Sequence, residues 1–235
     1  MTTLILLRHG RSTANTAGVL AGRTPGVELD DRGREQAAAV VDRLAALPIA
    51  SVVTSPMERC RQTVAPLVAA RGLEPVVEDD LAEVDYGAWT GRKITDLLKE
   101  DLWKVVQAHP SAATFPDGES LAGMQARSVA AIRRHVTRVR AEHGDDAILL
   151  ACSHGDVIKA ILADALASHL DNFQRIVVDT CSVSVVTYTE LRPFVARMNE
   201  QSGDVASLVP KPKPAEGAEP PVNASDAVVG GSTNA

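Results

Sequence analysis

Two arginines and two histidines stand where three separate strands should end. Arg8 and His9 follow a short hydrophobic opening. Arg59 falls one turn into a helix expected after the strand Ser51–Thr54, and His154 follows the strand Ala147–Cys152. Guanidiniums bind phosphoryl oxygens in bidentate fashion, and a neutral imidazole nitrogen is a competent nucleophile. Such a set is suited to holding a phosphoryl group while a ring nitrogen attacks it.

These residues meet only if the intervening elements bring them to one edge. Thr2–Leu7 reads as a strand buried on both faces. Asp30 or Asp31 can cap a helix carrying Ala37, Val41, Leu44 and Leu47 on one stripe, ended by Pro48. Ser55-Pro56 offers an N-cap and first-turn proline for the next helix, which Gly72 closes, and Pro75–Glu78 reads as a short strand. Leu81–Phe115 is irregular, with a short helical stretch around Ile94–Gln107, and Pro116-Asp117-Gly118 is a turn. A long helix runs from about Ser120 to His143, followed by the strand Ile148–Cys152 and a helix over Val157–Ala167. Val183–Thr189 and Phe194–Met198 form a hairpin at one sheet margin. Alternating strands and helices predict an α/β fold, a three-layer α/β/α sandwich with a mainly parallel sheet and an antiparallel margin. Parallel strands present their carboxyl ends at one edge, where ligands bind. Helices starting there, including the one opened by Gly155, add free N–H groups and positive dipole ends.

The bulk properties narrow the partners. The chain has 235 residues, 45% of them hydrophobic, and a formal net charge of −6. That is enough for one α/β domain over 1–202, with a disordered Pro/Ala/Gly/Ser-rich tail over 203–235. An acidic protein is not drawn to nucleic acid or to an anionic membrane. The apolar run Leu4–Leu7 is too short for a signal sequence, and no stretch reaches a membrane span of about 20 residues. Three cysteines, Cys60, Cys152 and Cys181, form no pairing motif and read as buried thiols in a reducing compartment. The expectation is a soluble cytoplasmic protein. The six histidines show no metal-ligand spacing, so neither metal nor other cofactor is expected.

Beyond this charge pattern, the chain resembles the histidine phosphatase (phosphoglycerate-mutase-like) superfamily. The matching segments are Leu6-Leu7-Arg8-His9-Gly10 with Asn15, Gly22-Arg23, Gly33 with Gln36-Ala37, and Ser55-Pro56-Met57-Glu58-Arg59-Cys60-Arg61-Gln62-Thr63. Glu83-Val84-Asp85-Tyr86-Gly87-Ala88-Trp89-Thr90-Gly91 and Ser153-His154-Gly155 complete the set, in the family's order. The resemblance implies a metal-independent phosphohydrolase of the histidine acid phosphatase type. His9 would be the nucleophile, forming a phosphohistidine that water hydrolyses. Arg8, Arg59 and His154 would clamp the phosphate, with Asn15 as a further donor and Ser153 and Gly155 flanking the clamp. Glu83 would be the general acid, its pKa raised by burial near Trp89 and Tyr86 or by the anionic substrate.

Two departures bear on the reaction. Arg11 stands where the family commonly has Glu, and Glu83-Val84-Asp85-Tyr86 replaces the Glu-Arg-His-Tyr typical of mutases. Net hydrolysis of a small phosphorylated metabolite is therefore favoured over phosphoglycerate mutase-type transfer. Arg11 and Arg23 either select a second anionic group at the pocket mouth or simply lie on a wet loop. Ala151-Cys152-Ser153-His154-Gly155 also fits a degenerate serine-hydrolase elbow. A non-catalytic phospholigand-binding module is the other rival, although it leaves Glu83 without a role. An edge strand in the terminal hairpin could pair with a twin to give a homodimer.

Overall fold

The structure, a computed structural model, describes residues 1–201; the tail expected over 203–235 lies outside the described residues. Six strands, β1 (Thr2–Arg8), β2 (Ile49–Thr54), β3 (Val76–Val77), β4 (Ile148–Ser153), β5 (Val183–Tyr188) and β6 (Pro193–Glu200), form one sheet in the order β3-β2-β4-β1-β5-β6. β1, β2, β3 and β4 run parallel, and β5 and β6 form the antiparallel margin. Helices are α1 (Thr13–Ala17), α2 (Asp31–Arg43), α3 (Glu58–Arg71), α4 (Ile94–Leu97), α5 (Asp101–Ala108), α6 (Leu121–His143) and α7 (Gly155–Ala165).

The period-two alternation of side chains along a strand divides β1 between two cores. Leu4 and Leu6 join Val53, Leu149 and Ala151 beneath residues of α6 and α7, including Met124, Ile132, Val157 and Ile161. Ile5 and Leu7 join Val52, Leu150 and Cys152 against Val40 of α2, its C-cap Leu44, and Val64 and Leu67 of α3. The result is the expected three layers. A one-residue slip of β1 would swap these two sets between the cores, so the register is firmly specified.

That register lines up the strand ends. Arg8 pairs with Ser153 across β1 and β4, and Thr54 pairs with Cys152 across β2 and β4. β4 thus lies between β1 and β2, and the three segments bearing His9, Arg59 and His154 leave the same edge side by side.

Several boundaries differ from the expectation. α3 begins at Glu58 with Met57 as its N-cap, and the Ser55 hydroxyl accepts from the Met57 amide at 3.3 Å while also bonding the His154 ring. α7 begins at Gly155, two residues early, and takes Asp156 into its buried first turn. α1, capped reciprocally by Ser12 and Asn15, is too short for periodicity to reveal. Among the described residues no helix is long and apolar enough to cross a membrane. The three cysteines are buried free thiols.

Candidate active site

Gly10 and Gly33 explain how the first loop stays tight. A Cβ on Gly33 would lie 2.0 Å from the Arg11 carbonyl oxygen, so only glycine lets α2 meet this backbone. Gln36, one turn on, accepts from the Arg11 amide at 2.9 Å, and the Gly10 amide donates to Thr63 of α3 at 2.9 Å. β1, α2 and α3 are thereby fastened around His9.

His9 is 3% exposed, and its Nδ1 lies 2.7 Å from the carbonyl of Gly10. A carbonyl only accepts, so Nδ1 carries the proton and Nε2 holds the lone pair. Burial, followed by the charges of Arg59 and Arg8, holds its pKa well below 6.5 against the opposing Gly10 bond. The ring is a neutral imidazole with its unprotonated nitrogen fixed in place.

The guanidiniums flank it. Arg8 is fully buried and donates through Nη1 to the Val178 carbonyl at 2.7 Å. Arg59 donates through Nη2 to the Gly22 carbonyl at 3.0 Å and to Nδ1 of His154 at 3.0 Å. Its Nη1 is buried with no hydrogen-bond partner. Leaving such a donor unsatisfied costs roughly 1–3 kcal/mol, more for a charged group. A phosphoryl oxygen would supply the missing acceptor.

His154 differs from what the sequence suggested. Its ring lies 5.3 Å from that of His9, centroid to centroid, yet both nitrogens are engaged. Nδ1 accepts from Arg59, so Nε2 carries the proton and donates to Ser55 Oγ at 2.7 Å. Burial first, then Arg59, keeps the ring's pKa well below 6.5. In this state His154 orients the Arg59 fork. It can donate to a phosphoryl oxygen only after taking a second proton on Nδ1, which an arriving anion would favour.

Glu83 follows a short 3₁₀ turn over Asp79–Leu81 and is 4% exposed. Its Oε1 accepts from the Val84 amide at 3.0 Å, and its Oε2 lies 3.8 Å from Nδ1 of His154. Burial and then Asp156 raise its pKa to about 7, with Arg59, the Val84 amide and Arg8 opposing. Tyr86 and Trp89 each meet Phe115 edge to face at 5.0 and 5.3 Å. A carboxyl in this setting retains its proton near neutrality, as a general acid must.

Three predicted binding residues, Ser153, Arg11 and Arg23, take structural roles. Ser153 donates to the Leu81 carbonyl at 2.8 Å, stapling β4 to the segment before Glu83. Its hydroxyl proton is therefore spent on that carbonyl. Arg11 pairs with Asp30, the α2 N-cap, at 2.6 Å. Arg23 donates to the Glu83 carbonyl at 2.9 Å and pairs with Glu119 at 2.9 Å. Neither is an uncompensated cation at a pocket mouth. Asn15 spends its Oδ1 on the Ser12 amide and hydroxyl, which leaves its NH₂ group as the donor for a ligand. Gly155 opens α7 beside His154, where first-turn amides have no intrahelical acceptor.

Sequence reasoning missed Glu119, Arg127, Asp156 and Lys159. Arg127 of α6 donates to the carbonyls of Asp80, Ala82 and Glu83 at 2.7, 2.8 and 3.2 Å, and pairs with Glu119 at 2.6 Å. With Arg23 it clamps the backbone that carries Glu83. Its signal was a charge three residues beyond Met124, on the buried side of α6. Asp156 and Lys159 were visible as two charges in an otherwise apolar helix. Among the described residues no group of three or more His, Cys, Asp or Glu side chains is arranged to hold a metal ion.

Comparison with known proteins identifies the family of the chain. Residues 4–201 match the family model described as histidine phosphatase superfamily (branch 1). Phosphoserine phosphatase 1 of Hydrogenobacter thermophilus is 28% identical, over 85% of this chain and 92% of that protein. The crystal structure of the α-ribazole phosphatase from Shigella flexneri superposes with a TM-score of 0.73 at 24% identity, covering 84% and 96% of the two chains. That of a mycobacterial glucosyl-3-phosphoglycerate phosphatase, in complex with VO3, does so with a TM-score of 0.76 at 23% identity, covering 85% and 99%. The two structures share the fold. The family model spans almost the whole described region, and the chain belongs to branch 1 of the histidine phosphatase superfamily.

Proposed function

We propose that the protein is a metal-independent phosphomonoesterase that hydrolyses a small phosphorylated metabolite through a phosphohistidine at His9. The observation that carries this reading is the 2.7 Å bond between Nδ1 of His9 and the Gly10 carbonyl. It commits one ring nitrogen as a donor and leaves Nε2 as an oriented nucleophile beside Arg8 and Arg59.

In the first step Nε2 attacks phosphorus in line with the departing ester oxygen. The P–N bond forms and the P–O bond breaks, and Glu83 gives its proton to the leaving alkoxide. Arg8 and Arg59 neutralise the equatorial oxygens, with Asn15 and the first amides of α7 as neutral donors. In the second step water attacks the phosphohistidine. The water's proton passes to the Glu83 carboxylate, the P–N electron pair returns to Nε2, and inorganic phosphate leaves. Hydrolysis is favoured over mutase-type transfer by Glu83-Val84-Asp85-Tyr86, which stands in place of the Glu-Arg-His-Tyr typical of mutases. The relatives' names support a small metabolite as substrate, since phosphoserine, α-ribazole phosphate and glucosyl-3-phosphoglycerate are all of that size.

Phosphate release from a generic aryl phosphate and from a panel of phosphorylated metabolites tests the proposal. Hydrolysis that survives in Ser153→Ala and disappears in His9→Ala is the expected result. The reverse pattern would restore the serine-hydrolase reading, and no turnover on any ester would favour a binding module.

A further inference from the structure

Behind Glu83 lies a second buried ionic group that the proposed reaction does not use. Asp156 and Lys159 are one turn apart in α7, exposed by 0% and 1%. Asp156 accepts from the Tyr86 hydroxyl at 2.8 Å, and its Oδ1 lies 3.7 Å from Nζ of Lys159. Lys159 donates to Gln174 at 3.1 Å and lies 5.8 Å from the centre of the Phe173 ring. The segments 83–86 and 154–156 therefore touch twice, once where His154 approaches Glu83 and once where Tyr86 meets Asp156. Stability alone does not account for the pair. Removing two charges from water costs several kcal/mol per ion, and apolar side chains of similar volume commonly serve a core as well or better.

We infer that Asp156 is a positioning residue for Glu83: its bond to Tyr86 fixes the 83–86 segment, its charge keeps the neighbouring carboxyl in the proton-donating form, and Lys159 is the counter-ion that limits this effect. The inference rests on the reading of Glu83 as the general acid. The groups facing Glu83 explain why such a device is needed. Arg8 approaches from β1, Arg59 from α3 and His154 from α7, while Tyr86 belongs to its own segment; Arg127 of α6 holds its carbonyl. Both guanidiniums favour an ionised carboxylate, and an ionised Glu83 cannot protonate a leaving group. After burial, Asp156 is the largest influence in the opposite direction. Lys159 in turn feels Asp156 and Glu83, as expected of a counter-ion shared within one cluster.

The test is the pH dependence of kcat/KM on an alkyl phosphate, whose poor leaving group needs the acid, with phosphate release as readout. Asp156→Asn keeps an acceptor for Tyr86 but removes the charge; the alkaline limb should move down by about 1 pH unit or more. Lys159→Met keeps the volume and removes the counter-ion, and the limb should move up. The double variant should return towards the parent. A merely structural role would lower kcat and Tm in both variants without moving the limb, and that result would overturn the inference. Glu83→Gln separates the two failures. If it abolishes the alkaline limb while Asp156→Asn leaves the limb in place, the acid assignment stands and the inference falls. A limb that persists in Glu83→Gln would sink the acid assignment itself.

Discussion

The two arginine clusters on either side of Glu83 use the same side chain in opposite ways. Arg23 and Arg127 form a saturated network, in which guanidinium groups meet the Glu119 carboxylate and the carbonyls of residues 80, 82 and 83. Arg59, on the other side, keeps a buried Nη1 with no partner, beside two histidines that burial and positive charge hold neutral. The first cluster is complete and fixes backbone. The second keeps a donor unsatisfied, which is where the proposed phosphoryl oxygen would bind. Saturation of the donors, more than residue type, separates support from chemistry.

The largest effect should come from the nucleophile. His9→Ala is expected to lower kcat by on the order of 10⁴-fold or more, with the fold intact by circular dichroism. Arg59→Met should cost about 10²–10³-fold in kcat. It should leave Tm unchanged or raised, since removing a buried charge with one unsatisfied donor offsets the loss of its bonds to Gly22 and His154. Arg127→Met should show the converse: a stability loss of about 1–3 kcal/mol by denaturant titration, because the carbonyls of Asp80 and Ala82 lose this donor while Glu119 and the Glu83 carbonyl keep Arg23. If both variants lost stability equally, the contrast between the clusters would be wrong.

Protonation offers a finer probe. With His9 neutral down to well below pH 6.5 and Glu83 protonated up to about 7, kcat/KM should fall on the alkaline side near pH 7 and on the acid side below 6.5. A rate still climbing at pH 9 would contradict these assignments. Stability follows with a definite sign. Between its ordinary value of 4.5 and about 7, Glu83 binds more protons folded than unfolded, so folding stability falls as pH rises through that window. Glu83→Gln should therefore be more stable than the parent above pH 7, with the gap closing towards pH 4.5. The smallest effect is expected at Arg11. Its pair with Asp30 is partly exposed, and Arg11→Ala should cost under about 1 kcal/mol and act equally on substrates with and without a second anionic group.

Much of this site was legible in the sequence. Apolar runs and turn residues located β1, β2, β4 and the terminal hairpin, and parallel strand order explains why residues about 50 and 145 positions from His9 arrive beside it. What stayed hidden depended on long-range partners. Ser55 reads locally as a helix cap, but a histidine 99 residues away claims its hydroxyl. Arg23 reads as a loop cation, but its carboxylate lies 96 residues on, at Glu119. Ser153 sits within the motif and turns its hydroxyl to Leu81, 72 residues earlier. Local pattern carries element type and strand ends; which donors are already satisfied is decided by tertiary contact.

The most direct measurement is to mix enzyme with labelled phosphomonoester, quench with alkali within one turnover, and map the bound phosphate by mass spectrometry. An alkali-stable, acid-labile phosphoryl group on His9, absent from His9→Ala, is the predicted result. Full turnover with no label on that ring would contradict the account.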